Sequence, residues 1–190
     1  MTAAPPPNWS ESAELWDETY RAKGWDYLDG IGEVAHYMVL IGYMSYGAEC
    51  PSVVDLGCGH GRLLRLLAKF GFSSYLGVDL STEAISRARA LEIPNCRFRV
   101  ANLEQWTTRK KFDVVVLNEC LYYVQHPVAT AVSLRHAMAD GGLLLISMWR
   151  HATSMQIWQE LAVRPELELL NATSIESDGV AWDVKAFHAA

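Results

Sequence analysis

Residues 53–63 read VVDLGCGHGRL: a β-branched run, an acid, then glycines at the alternate positions 57, 59 and 61. Val53, Val54 and Leu56 have the character of a buried parallel strand. Residues 62–70 (RLLRLLAKF) carry apolar side chains at helical spacing. Strand, glycine loop and helix in that order open a nucleotide-binding βαβ unit. The glycines allow a sharp bend and let a ligand approach bare backbone. The start of the helix offers unpaired N–H groups to a negative group. The stretch predicts an open α/β sheet with its ligand at the carboxyl ends of the strands.

The spacing of the glycines narrows the ligand. A dinucleotide loop reads G-x-G-x-x-G, tuned to a pyrophosphate. Here the loop reads G-x-G-x-G, and Leu56 alone separates it from Asp55. A carboxylate so close repels phosphate and suits an ammonium group. At this motif the chain resembles the class I S-adenosylmethionine (SAM)-dependent methyltransferases, whose first motif has this form. SAM has an amino-acid end and a sulfonium but no phosphate. The resemblance implies SAM as cofactor, with Asp55, Gly57, Cys58, Gly59 and Gly61 around it; Cys58 is a small residue that fits within the loop.

Further residues join the resemblance downstream. Residues 74–80 (SYLGVDL) predict a second strand ending in Asp79 and Leu80. An acid there, roughly 20 residues past the glycine loop, accepts hydrogen bonds from ribose hydroxyls. Residues 97–102 (RFRVAN) predict the third strand. The family's adenine-contacting position falls at Asn102 and Leu103, where asparagine keeps a carbonyl acceptor for the adenine amino group. Residues 112–118 (FDVVVLN) predict a fourth strand, which places Asn118 and residues 119–123 (ECLYY) where ligands bind in such sheets. That last segment is similar to a stretch of the nodulation N-methyltransferases. Taken singly, the glycines also suit a tight turn, and Asp55 and Asp79 also suit helix caps or loop acids. The order and spacing of the set carry the inference.

The rest of the chain completes an α/β pattern. A crossover helix is expected over 128–138, then a turn at 139–142, a fifth strand at 143–149 and a helix at 154–162 that Pro165 ends. Residues 167–175 and 180–188 read as two strands joined by an Asp-Gly turn at 178–179. The family closes its sheet with such a pair, its last strand antiparallel to the rest. The expected fold is thus a Rossmann-like doubly wound α/β sheet, mostly parallel, with an antiparallel closing hairpin and an N-terminal helical lid.

One domain is expected over residues 1–190, with lid helices in 1–49 and the SAM-binding core in 50–190. Apolar residues make up 51% of the chain, enough for a substantial core. A net charge of −6 argues against a nucleic-acid partner, which needs basic patches. There is no apolar run of membrane-spanning length and no signal-peptide pattern, so a cytoplasmic location is expected. The four cysteines (Cys50, Cys58, Cys96, Cys120) show no metal spacing and are expected to be reduced and buried; no metal is expected.

The N-terminal part begins with a proline-rich lead over 2–7. Ser10 is expected to cap a helix reaching about residue 23, with Glu11 and Glu14 at its start. A second helix at 31–46 is expected to bury Val34, Tyr37, Met38 and Ile41. Trp9, Trp16, Tyr20, Trp25, Tyr27, His36 and Tyr37 make this part aromatic. Such residues either cover the cofactor pocket, where cation–π attraction to a sulfonium is available, or pack as ordinary core. The resemblance implies that an aromatic near Tyr20 touches the methionine end of SAM.

The expected reaction is methyl transfer to an oxygen or nitrogen of a small metabolite. The site must align acceptor, methyl and sulfur and accept a proton. Candidate bases are Glu119, His36 and His151, with His126 in a loop before Pro127. Tyr122 is a candidate for orienting the acceptor. Two readings stay open beside this one: SAM binding without methyl transfer, including a cyclase, and an NAD-dependent oxidoreductase using Asp79. The partner is a small-molecule acceptor, and monomer and homodimer are equally compatible with the sequence.

Overall fold

The structure is a computed structural model that describes residues 12–177 and 179–190. Seven strands form one sheet: β1 Ser52–Leu56, β2 Ser74–Asp79, β3 Cys96–Val100, β4 Phe112–Asn118, β5 Met138–Trp149, β6 Leu167–Ser177 and β7 Val180–Ala189, in the order β3-β2-β1-β4-β5-β7-β6. β1 to β5 are parallel, and β7 runs antiparallel to both β5 and β6. The helices are α1 Ala13–Arg21, α2 Val34–Gly47, α3 Arg62–Leu67, α4 Thr82–Arg89, α5 Pro127–Ser133 and α6 Ala152–Leu161. This is the doubly wound sheet with an antiparallel closing hairpin that the sequence predicts.

Strand alternation sends neighbouring residues to opposite faces. Val53, Val114, Val116 and Leu145 face a core built with Tyr37, Leu40, Ile41 and Met44 of α2 and Leu63, Leu64 and Leu67 of α3. Val54, Leu56, Val115, Leu117 and Ile146 face the other core, which Ile157, Trp158 and Leu161 of α6 complete. Leu56 is in register with Val78 of β2 and with Leu117 of β4. Asp55, Asp79 and Asn118 therefore meet at one edge of the sheet, beside the switch point between β1 and β4. The open edge at β3 carries the exposed Arg97 and Arg99, charges that discourage pairing with another chain.

Several element boundaries differ from expectation. Ser12 caps α1, its hydroxyl accepting the N–H of Leu15 at 3.2 Å. The expected cap Ser10, together with Glu11, Trp9 and the lead 2–7, lies outside the described residues, as does Asp178 of the hairpin turn. In α2 the buried stripe is Tyr37, Leu40, Ile41 and Met44, a spacing of three and four residues. Met38 falls one position round the helix from that stripe and is exposed. β5 starts at Met138, earlier than expected, because Met138 pairs with Phe112 and the glycines at 141 and 142 are absorbed in a shift of register. The crossover region is α5, with Pro127 at its first position, followed by a 3-10 turn over Leu134–Ala137. All four cysteines are free, but Cys50 is exposed and Cys96 half-buried; only Cys58 and Cys120 are buried.

Candidate active site

A cavity of about 700 Å³ lies at the carboxyl ends of β1, β2, β3 and β4. That volume is ordinary for a small-molecule site. Trp16, Tyr20, Trp25, Tyr27 and Tyr37 of the N-terminal segment line it, so these aromatics border the cavity, while His36 packs as core. The segment is tied down at two places. Asp17 of α1 accepts the Ser81 hydroxyl at 2.5 Å and the N–H of Glu83 at 3.0 Å. Asp29 pairs with Arg65 and Arg62 of α3 and with His60.

The glycine loop has left-handed backbone at all three positions, with φ of +79° at Gly57, +53° at Gly59 and +83° at Gly61. Only glycine adopts this conformation without strain. The missing side chains also make room for the protein itself. A Cβ on Gly57 lies 2.5 Å from that of Cys120, and one on Gly59 lies 2.7 Å from the Tyr20 hydroxyl. Gly57 and Gly59 both border the cavity as well. Gly61 does not; it precedes α3 and packs against Leu91 and Ala88.

Asp55 sits on the apolar face of β1 that α2 and α3 cover, 1% exposed. Burial pushes its carboxyl up to about 7, against the Tyr75 hydroxyl and with help from the charge of Asp79. Tyr75 donates to Oδ2 at 2.5 Å, while the buried Oδ1 has no partner. On the adjacent strand, the buried Oδ1 of Asn118 also has none. Both residues line the cavity. Two unpaired buried acceptors on the lining of one cavity are costly unless a donor meets them. An ammonium group has three donors, so this pair fits the amino-acid end of SAM.

Asp79 accepts from the N–H groups of Gly59 at 2.8 Å and Ser81 at 2.9 Å. Burial raises its pKa against those bonds. A carboxylate has about four accepting sites, which leaves Asp79 room for a ribose hydroxyl. Asn102 already uses its side-chain carbonyl on the N–H of Glu104 at 2.9 Å, which leaves its NH2 as the freer group. Leu80, Leu103 and Cys58 line the same half of the cavity, and burial lifts the Cys58 thiol well above its usual range, so it is no thiolate nucleophile.

The other half of the cavity holds Tyr27, Glu33, Glu119, Tyr122, Tyr123, Trp149, Val180 and Trp182. Glu119 has a left-handed backbone, φ +53°. Its carboxylate accepts from Ser147 Oγ at 2.9 Å, the Trp149 N–H at 2.8 Å and the Tyr122 hydroxyl at 2.9 Å. Burial raises its pKa, opposed by His36 and these bonds. Tyr122 is thus oriented by Glu119 on the cavity wall.

Neither His36 nor His151, both candidate bases, is among the residues that line the cavity. His36 is fully buried, stacked on Trp182 at 5.1 Å and bonded through Nε2 to Glu33 at 3.2 Å; it does not line the cavity. His151 precedes α6 and lies edge-on to Tyr122 at 4.9 Å. His126 is exposed. Glu33, Trp149 and Trp182 were missed by sequence reasoning. Trp149 and Trp182 face each other across the β5–β7 ladder. Only a strand register could place them together, and single-residue composition carries no such signal. Among the described residues no His, Cys, Asp and Glu cluster suits a metal ion, and no helix is long and apolar enough to cross a membrane.

The model of the family described as "Methyltransferase domain" matches residues 22–178. The trans-aconitate 2-methyltransferase of Klebsiella pneumoniae (strain 342) is 32% identical over 142 residues, 74% of this chain and 51% of its own. The malonyl-[acyl-carrier protein] O-methyltransferase of Paenibacillus sp. (strain JDR-2) is 28% identical over 120 residues, 59% of this chain and 44% of its own. The chain therefore spans about half the length of the curated relatives it matches. In fold it is similar to the N-methyltransferase NodS from Bradyrhizobium japonicum WM9 in complex with S-adenosyl-L-homocysteine, with a TM-score of 0.78, 18% identity, and 96% of this chain and 98% of that one covered. The match to the family model over most of the sequence, on a sheet with this order and this loop, places the chain in the class I SAM-dependent methyltransferase family.

Proposed function

We propose that this chain transfers the methyl group of SAM to an oxygen or nitrogen of a small metabolite. The observation that carries the reading is the pair of unpaired buried acceptors, Asp55 Oδ1 and Asn118 Oδ1, on the wall of a cavity that continues into an aromatic half. The first half holds the cofactor: Asp55 and Asn118 take its ammonium, Asp79 its ribose, and Asn102 and Leu103 border its adenine. When bound, the cofactor supplies an electrophilic methyl on a sulfonium. The protein then has to align the acceptor, exclude water and take up a proton. The second half supports those tasks. Its aromatic walls displace water, Glu119 holds Tyr122, and Glu33 offers a carboxylate to the acceptor.

Calorimetry with S-adenosyl-L-homocysteine tests the cofactor half, and transfer of labelled methyl from SAM tests the activity. Saturable binding with one site per chain is expected. Folded protein that takes up neither SAM nor its demethylated product ends the reading.

A further inference from the structure

The charge of the acceptor half goes further than its shape. Among the described residues, the cavity is lined by the carboxylates of Glu33, Asp55, Asp79 and Glu119, against one guanidinium, Arg62, and one imidazole, His60. Both basic groups pair with Asp29, Arg62 Nε at 3.6 Å and His60 Nε2 at 3.5 Å. Burial lowers the pKa of His60 against that pairing, so it adds little positive charge at neutral pH. A carboxylate or phosphate acceptor entering this space meets acidic side chains, and both basic groups of the lining are already paired with Asp29.

The two carboxylates of the acceptor half are not equivalent. A carboxylate has about four accepting sites. Glu119 gives three of its sites to Ser147, Trp149 and Tyr122. Glu33 gives one, to His36 Nε2, and among the described residues its Oε1 has no hydrogen-bond partner. His36 is fully buried and stacked on Trp182 at 5.1 Å. Its Nδ1 is buried and has no hydrogen-bond partner, so the contact to Glu33 is the ring's one hydrogen bond among the described residues. Glu33 is therefore held in place on one oxygen and left open on the other. Glu33 and Glu119 both line the cavity together with Tyr27, Tyr122, Trp149 and Trp182. Acids among aromatic rings suit a cation carried on an apolar body.

We infer that the acceptor is an amine on an apolar or aromatic body, docked as an ammonium between Glu33 and Glu119, and that Glu33 Oε1 takes the proton that frees its nitrogen. This rests on the methyltransferase reading above and names the acceptor class within it. The ammonium gives one proton to Glu33. The freed lone pair then forms the N–C bond as the bond from methyl to sulfur breaks, its electron pair staying on sulfur. The product leaves as a methylated ammonium, so the positive charge that enters on sulfur departs on nitrogen, and Glu33 returns its proton to solvent.

The test is a titration of protein saturated with S-adenosyl-L-homocysteine by three probes of similar shape: 2-phenylethylamine, 2-phenylethanol and 3-phenylpropionate. The amine is expected to bind on the order of tenfold tighter than the carboxylate. Glu33→Gln should remove most of that preference with S-adenosyl-L-homocysteine affinity unchanged, and Glu33→Asp should restore part of it. Equal or weaker binding of the amine in the wild type, or no binding of any probe, overturns the amine assignment and leaves the methyltransferase reading standing. A preference that survives in Glu33→Gln overturns the role of Glu33. Failure of the initial S-adenosyl-L-homocysteine titration overturns the underlying reading and this inference with it.

Discussion

Asp17 of the first helix caps α4 of the sheet through Ser81. Its Oδ1 accepts the Ser81 hydroxyl at 2.5 Å, while the same Ser81 Oγ accepts the N–H of Ala84 at 3.0 Å. Asp17 also takes the N–H of Glu83 at 3.0 Å. One helix start is thus capped from two elements, and the cap fixes the N-terminal segment over the cofactor half. Arg87 of α4 reinforces it by donating to the carbonyl of Tyr20 at 2.7 Å.

Asp17→Ala should cost about 1–2 kcal/mol of stability, the usual cost of losing a helix cap. It should also weaken S-adenosyl-L-homocysteine binding, because Trp16 and Tyr20 on the same helix border the cavity. A double-mutant cycle with Ser81→Ala should show coupling of at least about 0.5 kcal/mol, as for residues in one network. Thermal denaturation and calorimetry measure both, and additive losses mean that the two caps act independently.

Asp29→Ala is expected to behave differently, although Asp29 has more partners. Its side chain is 43% exposed and that of Arg65 36% exposed. Solvent screens such pairs, so the loss should be below about 1 kcal/mol. Unfolding in urea ranks the two variants; a larger loss for Asp29→Ala than for Asp17→Ala contradicts the burial argument.

Gly59→Ala meets two separate penalties: a left-handed φ of +53° and a Cβ 2.7 Å from the Tyr20 hydroxyl. The backbone part is on the order of 1 kcal/mol. The steric part depends on Tyr20. In a Tyr20→Phe background the same substitution should therefore be cheaper, by about 1 kcal/mol or more. Melting curves of the four proteins decide it, and an equal cost in both backgrounds assigns the whole effect to backbone.

These residues also show how far the sequence could be read. The positions of Asp55, Asp79 and Asn118 were legible because Asp79 and Asn118 end parallel strands and Asp55 stands one residue before the end of another, and parallel register brings strand ends together. The closing hairpin was legible from its alternation and its Asp-Gly turn. The acceptor half was not legible. Glu33 lies in a 3-10 turn with no apolar period, and Trp182 reaches the cavity only through its pairing opposite Trp149. His36 looked like a base because a lone histidine on a lid helix says nothing of the tryptophan that covers it. The glycine loop was legible as backbone geometry, but its neighbours Tyr20, Cys120 and Leu91 come from distant parts of the chain.

The carboxyl of Asp55 makes cofactor affinity depend on pH with a definite sign. Burial raises it to about 7, so in the free protein it holds a proton below that pH and loses it above. An unfolded aspartate titrates near 3.8, the ordinary value. The folded state thus binds more protons than the unfolded state between these values, and this group's contribution to stability falls as pH rises through the window. A bound ammonium reverses the preference by favouring the carboxylate. Binding of S-adenosyl-L-homocysteine below pH 7 should therefore release close to one proton, and affinity should climb by up to about tenfold per pH unit between pH 5 and 7. It should level off above that. Asp55→Asn should flatten the climb and weaken binding, since an amide oxygen replaces a charge. Calorimetry in buffers of different ionisation enthalpy counts the proton directly. A pH-independent affinity in the wild type, with no proton released, means that Asp55 does not meet the ammonium.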